Sequence, residues 1–479
     1  VKHLVGLIAE AGLPAVTVED REIVQLDYDS RSCIPGSLFF AFPGIHSQGI
    51  DYVGDAIARG AVAVVASRSV SEVETIVVKD VRKAYALMCA AFFEHPSRKL
   101  SIIGVTGTDG KSTTCDYLKQ LLEVEGVRCG MLGTVYMDDG TGKRYSPYRQ
   151  STPEAWYLEQ FFDRCVKNGL RTIVLECTSH ALSDLSARLE TVAFDMAIVT
   201  NVTSEHLEFH KTIAAYVDAK CNLVRHLKKN GTFVSTTDNR HLSEFLAALP
   251  DGRSSVILHK DVDISLEGAS EAVYRGKRYH LSTTLPVLSS NALLAAVACC
   301  RFTGLSLEKT LPHLASLTPV EGRMEEIPNA LGLRIIIDFA HTADAYHQLM
   351  GFLSKSKGSG RMIAVFGAAG ERDASKRAPM GKEASVFCDA LFLTDEDPRM
   401  ERSGNIDDDI ECGMARSIPV FRIDDRREAI RAVFGYAKRG DTVLFLGKGH
   451  EHSIEKKGVK IPWNEKETVR TMLEEAQRS

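Results

Sequence analysis

GVTGTDGKSTT, residues 104–114, decides how the rest of the chain is read. The apolar run SIIGVTG (101–107) enters a glycine-bearing turn that leads into STTCDYLKQLLEVEG (112–126). There Leu118, Leu121, Leu122 and Val124 mark the apolar face of a helix. Strand, loop and helix in that order make a phosphate-binding arrangement. Glycines let the backbone curl so that its N–H groups and the helix N-terminus point at an anion. The usual loop has four residues between its first glycine and the Gly-Lys pair, whereas only Thr108 and Asp109 separate Gly107 from Gly110 here. Lys111 is placed to neutralise β/γ-phosphate charge, and Ser112 or Thr113 to ligate Mg²⁺. The expected ligand of this loop is ATP.

Outward from the loop, apolar runs alternate with helical patterns. AVAVVAS, TIVLEC, MAIVTN, TFVSTT, RIIIDFAH, MIAVFG, ALFLTD and TVLFLG each read as a buried strand. That rhythm predicts α/β architecture with largely parallel sheets, and ligands at the carboxyl ends of the strands. A chain of 479 residues exceeds one hydrophobic core. Breaks at EHPSRKL (94–100) and after VEGRMEEIPNA divide it into expected domains 1–97, 98–325 and 326–479. A net charge of −5 without a long basic run gives no reason to expect nucleic acid or a membrane surface as partner. No stretch reaches the roughly 20 apolar residues of a membrane span, and the opening VKHLVGLIAEAGLPAV does not read as a signal peptide. The eleven cysteines include no Cys-x-x-Cys pair and read as buried free thiols in a reducing cytoplasm.

Other stretches carry chemistry. In LECTSHAL (175–182), Glu176 ends a strand, where a carboxylate can reach a metal held at the loop. In TNVTSEHLEFH (200–210), His206 follows a strand end at Asn201, with Glu205, Glu208 and His210 close in sequence, as in an active-site loop. Lys220, in YVDAKCNLV (216–224), reads from composition alone as a solvated position on an amphipathic helix.

Taken together these stretches resemble the Mur ligase superfamily, whose loop is Gly-Thr-Asn/Asp-Gly-Lys-Ser/Thr-Thr, and within it the MurE-type enzymes most closely. The likeness extends over nearly the whole chain. It includes DYDSRSCIPGSLFFAFPG (27–44), STPEAWYLEQ (151–160), LECTSHALSDLSARL (175–189) and FDMAIVTNVTSEHLEFH (194–210). VEGRMEEI (320–327), IIDFAHTADA (336–345), FGAAGERDASKRAPMG (366–381), DEDPR (395–399) and GKGHEH (447–452) follow in family order. The resemblance implies an N-terminal UDP-binding α/β domain, a central P-loop ATPase domain and a C-terminal Rossmann-like domain. It implies an ATP-dependent ligase that adds a diamino acid to UDP-N-acetylmuramoyl-L-alanyl-D-glutamate through an acyl phosphate, with closure of the C-terminal domain.

By matched position, Gly107, Thr108, Asp109, Gly110, Lys111, Ser112 and Thr113 hold the ATP phosphates. Thr113, Glu176, His206 and Lys220 lie near Mg²⁺. Lys220 matches the lysine that the family carboxylates, which overturns the solvated reading. Asn291, Arg323 and Asp338 match contacts to adenine, phosphate and ribose. Ser30 and Arg31 match the uridine site, and Ser151, Thr152, Ser179 and Arg188 the sugar-peptide grip. Arg372, Asp397, Arg399, Gly447 and Glu451 surround the incoming amino acid. Members that use meso-diaminopimelate carry Asp-Asn-Pro-Arg, whereas residues 396–399 here are Glu-Asp-Pro-Arg. Arg399 suits a distal carboxylate, and Asp397 adds charge that suits a distal ammonium. Meso-diaminopimelate is favoured, with L-lysine or L-ornithine open, and Arg399 could instead pair with Asp397 or Glu401. A MurF-type or folylpolyglutamate-synthase-like ligase is the alternative activity. A cytoplasmic monomer is expected.

Overall fold

The computed structural model describes residues 1–14, 17–44, 48–71, 73–148, 150–203, 207–283, 286–355 and 358–478. It divides into two compact units, Val1–Thr318 and Pro319–Ser479.

The first unit holds two main sheets. The N-terminal one is fully parallel, in the order β1 (Gln25–Asp27), β2 (Ser37–Phe40), β3 (Ala61–Ala66), β4 (Thr75–Val77). Side chains alternate across a strand, so Leu38 and Phe40 of β2 face one core, with Leu4, Leu7 and helix α1 (Val81–Phe92). Phe39 faces the other, with Val53, Ala56 and Val64. Covering both faces is what makes these strands read as continuous apolar runs.

The second sheet contains β5 (Ser101–Thr106), β6 (Cys129–Leu132), β7 (Tyr136–Asp138), β8 (Arg144–Tyr145), β9 (Thr172–Glu176), β10 (Phe194–Val199), β11 (Leu227–Thr236) and β12 (Ser254–Leu258). Their order is β8-β7-β6-β9-β5-β10-β11-β12. Six strands run parallel, and the hairpin β7–β8 adds an antiparallel edge. The loop strand β5 lies between β9 and β10, so the phosphate loop, Glu176 and Asn201 emerge at neighbouring carboxyl ends. Helix α2 (Lys111–Val124) follows the loop and packs against α5 (Pro286–Thr303). Between them in sequence come α3 (Ala155–Lys167) and α4 (Ile213–Arg225). Trp156 of α3 lies 5.1 and 4.9 Å from the rings of Phe92 and Phe93, joining the two cores. A small antiparallel sheet, β13 (Ile264–Glu267), β14 (Glu271–Tyr274) and β15 (Lys277–His280), precedes α5.

The second unit has one six-stranded sheet. Its strands are β16 (Glu325–Glu326), β17 (Arg334–Asp338), β18 (Met362–Phe366), β19 (Ala390–Leu393), β20 (Val420–Arg422) and β21 (Thr442–Leu446), in the order β16-β17-β21-β18-β19-β20. All pairs are parallel except β16–β17. The boundary expected between residues 325 and 326 cuts β16, whereas the unit itself begins at Pro319. Helices α6 (Ala343–Ser354), α7 (Arg377–Phe387), α8 (Arg426–Tyr436) and α9 (Glu465–Arg478) surround the sheet, and the hairpin β22 (Ser453–Lys456) with β23 (Val459–Pro462) lies before α9. Ten cysteines are buried and only Cys412 is exposed. No helix among the described residues is long and apolar enough to cross a membrane.

Candidate active site

The loop from Gly107 to Gly110 is held by the end of β10. Asn201 accepts from Thr108 N–H at 2.8 Å through its carbonyl and from Asp109 N–H at 2.9 Å through Oδ1. Thr200 donates to Asp109 O at 2.6 Å. A β-carbon at Gly107 would lie 1.9 Å from Thr200 Oγ1, which only glycine avoids. Gly110 has φ +78°, and a β-carbon there would lie 2.7 Å from Asn291 Oδ1 on α5. Gly110 caps α2, whose first N–H groups have no intrahelical acceptor. Lys111 Nζ donates to Gly107 O at 3.1 Å and Thr108 O at 2.7 Å, folding back over the loop.

Glu176 is 1% exposed at the end of β9. It accepts from Ser112 Oγ at 3.0 Å, Thr134 N–H at 2.9 Å and Thr134 Oγ1 at 2.9 Å. Ser151 Oγ lies 2.6 Å from the same Thr134 hydroxyl. Thr152 donates to Glu176 O at 2.8 Å and accepts from Thr178 N–H at 3.0 Å, next to the turn Ser179–Leu182. Arg188 donates to Glu154 at 2.9 Å and Thr152 O at 3.2 Å. The loop and the Ser-Thr-Pro segment therefore share one buried carboxylate. Of the two candidate hydroxyls in the loop, Ser112 is the one that meets it, while Thr113 is buried beside it.

Lys220 is 1% exposed, so the solvated helix position is ruled out. Its Nζ lies 2.7 Å from Gly107 O, 3.4 Å from Thr106 Oγ1 and 4.6 Å from the Tyr216 ring centroid. The Tyr216 hydroxyl is 3.1 Å from Thr108 Oγ1. His206 and Glu205 lie outside the described residues. The segment that follows them returns to the loop through His210, whose ring is 5.2 Å from that of Tyr216. Among the described residues no three His, Cys, Asp or Glu side chains form a preassembled metal cluster.

Ser30 and Arg31 line a cavity of about 500 Å³ beside the N-terminal sheet, together with Tyr28, Phe42, Tyr52 and Arg82. Tyr28 stacks on Phe42 with centroids 5.3 Å apart, and the Arg82 guanidinium lies 4.3 Å over the Phe42 ring. Arg31 is paired with Asp29 at 2.6 Å. Tyr28 and Phe42 fall in the same 27–44 stretch as Ser30 and Arg31, whereas Arg82 comes from α1, some fifty residues on, and no local pattern linked it to them.

In the second unit Arg323 and Asp338 come together. Asp338 accepts from Met324 N–H and Ala340 N–H, both at 2.7 Å, and burial pushes its carboxyl up against the opposing effect of Arg323. Arg323 lies 4.8 Å over the Phe339 ring. Arg399 adopts φ +53° and bonds through its backbone to the hairpin, N–H to Glu455 O at 2.9 Å and O from Lys457 N–H at 2.7 Å. Its guanidinium meets Gly370 O at 3.2 Å and Glu455 Oε2 at 3.6 Å, whereas Glu401 pairs with Arg377. Asp397 and Glu451 both meet Lys448, at 3.0 and 2.6 Å, a residue to which the sequence reading gave no role. Gly447 has φ +94°, and a β-carbon there would lie 2.6 Å from Glu396 Oε2. Burial raises Glu396 to about 7. Arg372 is exposed.

Family profiles match three stretches. Residues 22–93 match the Mur ligase family catalytic domain, 105–297 the Mur ligase middle domain, and 322–449 the Mur ligase glutamate ligase domain. A UDP-N-acetylmuramyl-tripeptide synthetase of Borreliella afzelii is 36% identical, covering 95% of this chain and 94% of the relative. A UDP-N-acetylmuramoyl-L-alanyl-D-glutamate–2,6-diaminopimelate ligase of Caldanaerobacter subterraneus subsp. tengcongensis is also 36% identical, covering 94% and 95%. A solved structure of a ligase of that same description superposes with a TM-score of 0.63 at 26% identity, over 98% of this chain and 99% of the other.

Proposed function

Because the chain belongs to the Mur ligase family, and within it to the MurE-type ligases of peptidoglycan synthesis, we propose that it adds meso-diaminopimelate to UDP-N-acetylmuramoyl-L-alanyl-D-glutamate with consumption of ATP. The observation that carries this reading is Glu176, which ties the phosphate loop through Ser112 to the Ser151–Thr152 segment through Thr134 and its own carbonyl. A nucleotide site and a phosphoryl-acceptor site that share one carboxylate suit phosphoryl transfer onto a substrate carboxyl group.

A carboxylate does not condense with an amine at neutral pH, because its oxygen is a poor leaving group. The D-glutamyl carboxylate oxygen therefore attacks the γ-phosphorus of ATP; the new O–P bond forms as the bond to the ADP oxygen breaks. Lys111 and the α2 N-terminus stabilise the charge on the phosphoryl oxygens. The neutral amine of the diamino acid then attacks the acyl carbon, phosphate leaves with the C–O electron pair, and the amine proton is released. Ser30 and Arg31 hold the uridine end; Ser151, Thr152, Ser179 and Arg188 hold the sugar-peptide. Asn291, Arg323 and Asp338 serve the adenine, phosphate and ribose. Arg372, Arg399, Asp397, Gly447 and Glu451 receive the amino acid.

The donor set at Glu176 and the Ser112 and Thr113 hydroxyls is hard oxygen, which fits Mg²⁺. His206 and a carboxylated Lys220 complete the proposed set. Bound there, Mg²⁺ supplies charge neutralisation at the phosphates. Ten buried thiols and ATP as co-substrate fit a reducing cytoplasm. The proposed assembly is a monomer.

The test is ADP formation with the UDP-dipeptide and meso-diaminopimelate, L-lysine or L-ornithine supplied singly. Diaminopimelate should give the highest kcat/KM, by at least about tenfold over lysine, because lysine leaves Arg399 without its carboxylate. Faster turnover with lysine or ornithine would overturn the assignment of the third residue, and no ADP with any diamino acid would overturn the ligase.

A further inference from the structure

The two motifs assigned above to the amino acid meet through a residue that belongs to neither role. Lys448 is fully buried, and its Nζ donates to Asp397 Oδ1 at 3.0 Å and Glu451 Oε2 at 2.6 Å. Asp397 Oδ1 also accepts from Glu455 N–H at 2.8 Å. The outer oxygens, Asp397 Oδ2 and Glu451 Oε1, accept no hydrogen bond from a described residue. One oxygen of each carboxylate is thus committed to the protein, and one is left for a ligand.

Charge completes the picture. Asp397 and Glu451 alone form a doubly negative site that attracts any diamine. Lys448 reduces this to a single negative charge. Arg399 is joined to Asp397 through the same hairpin strand. Its 3.6 Å contact with Glu455 is the pairing that an incoming carboxylate displaces. One net negative charge across Asp397, Glu451 and Lys448, with one guanidinium released from Glu455, is complementary to a ligand end that carries one ammonium and one carboxylate. An ammonium alone leaves an unbalanced charge in a partly desolvated site.

Building on the diamino-acid ligase reading, we propose that Lys448 is a positioning residue that orients Asp397 and Glu451 and sets the charge of their pocket, so that a distal ammonium is accepted together with a distal carboxylate. Lys448 itself does not touch the substrate. A purely structural role would affect every substrate alike, whereas this role affects one substrate and its selectivity.

The experiment compares wild type, Lys448→Met, Lys448→Arg and the double variant Lys448→Met/Asp397→Asn. It reads kcat/KM for meso-diaminopimelate and L-lysine, with separate KM values for ATP and the UDP-dipeptide. Lys448→Met should raise the KM for diaminopimelate about tenfold or more and lower its preference over lysine about tenfold, with the other two KM values within about twofold. Lys448→Arg should retain most of the preference. The double variant, which loses one charge of each sign, should regain most of it. An equal rise in all three KM values, or an unchanged preference in Lys448→Met, overturns the proposal. If Lys448→Met does not fold, the double variant decides alone, since a preference it fails to recover is equally fatal. A wild type that makes no ADP with either amino acid removes the ligase reading beneath, and this inference with it.

Discussion

Lys220 shows what a single position can and cannot disclose. Its helical neighbours suggested a wet surface, yet the ammonium is buried 2.7 Å from Gly107 O, at the back of the phosphate loop. Lys220→Ala should lower kcat by about a thousandfold, the scale of one lost transition-state contact of this kind, with UDP-dipeptide affinity within about threefold. A small carboxylic acid such as acetate should restore part of the rate, and full activity in the alanine variant would remove the proposed carboxylated lysine. Gly107→Ala makes a sharper steric prediction. Its β-carbon would meet Thr200 Oγ1 at 1.9 Å, so the loop must shift. Nucleotide binding measured by calorimetry should weaken at least about tenfold, while UDP-dipeptide binding persists. Lys111, Glu176 and the loop glycines were legible because each stands at the end of an apolar run, where α/β sheets collect ligands. Thr134 and Lys448 were not. Thr134 follows a four-residue strand too short to announce itself, and Lys448 meets an aspartate 51 positions away. No local pattern records such a pairing.

At the level of elements, the sequence shows what is buried on both sides and hides what is not. Parallel strands such as β5, β9, β18 and β21 are covered on both faces and appear as unbroken apolar runs. The antiparallel strands β13–β15 and the hairpin β22–β23 are partly exposed and mix charged with apolar residues, so they escaped notice. The starts of α8 and α9 escaped it too, although together they form a strong joint. Arg426 opens α8 and Glu465 opens α9, and both are wholly buried, with Nη2 and Oε1 2.6 Å apart. Trp463 Nε1 donates to the same carboxylate at 2.7 Å. Arg426→Met leaves that carboxylate charged and uncompensated in the interior, which should cost about 3–5 kcal/mol in urea unfolding. Arg426→Met/Glu465→Gln should recover a large part, because the stranded charge is gone. Equal losses in both variants would mean that packing, not charge, is what Arg426 supplies.

For the whole molecule, α/β architecture followed from the rhythm of strands and helices. Val1–Thr318 form one compact unit, in which Trp156 bridges to Phe92 and Phe93. Aromatic contacts across an expected boundary leave no trace in composition. That unit also contains Glu159, 1% exposed, accepting from Thr191 Oγ1 at 2.7 Å and raised by burial to about 7. Below about pH 4.5 the carboxyl is protonated in folded and unfolded chains alike. Between about 4.5 and 7 only the unfolded chain releases the proton, so stability falls as pH rises, by roughly 3 kcal/mol when the transition is complete. Glu159→Gln should therefore raise the unfolding temperature at pH 8 and leave it nearly unchanged at pH 4, as read by scanning calorimetry. An equal shift at both pH values would assign the effect to packing instead. The distribution of thiols has a practical counterpart. Ten cysteines are shielded and Cys412 alone is open, so a maleimide reagent finds a single address on the native enzyme without any engineering. A dye attached there becomes a native reporter on the C-terminal unit. The mass added per chain, one label when folded and eleven when fully opened, becomes a counter of how far the molecule has come apart.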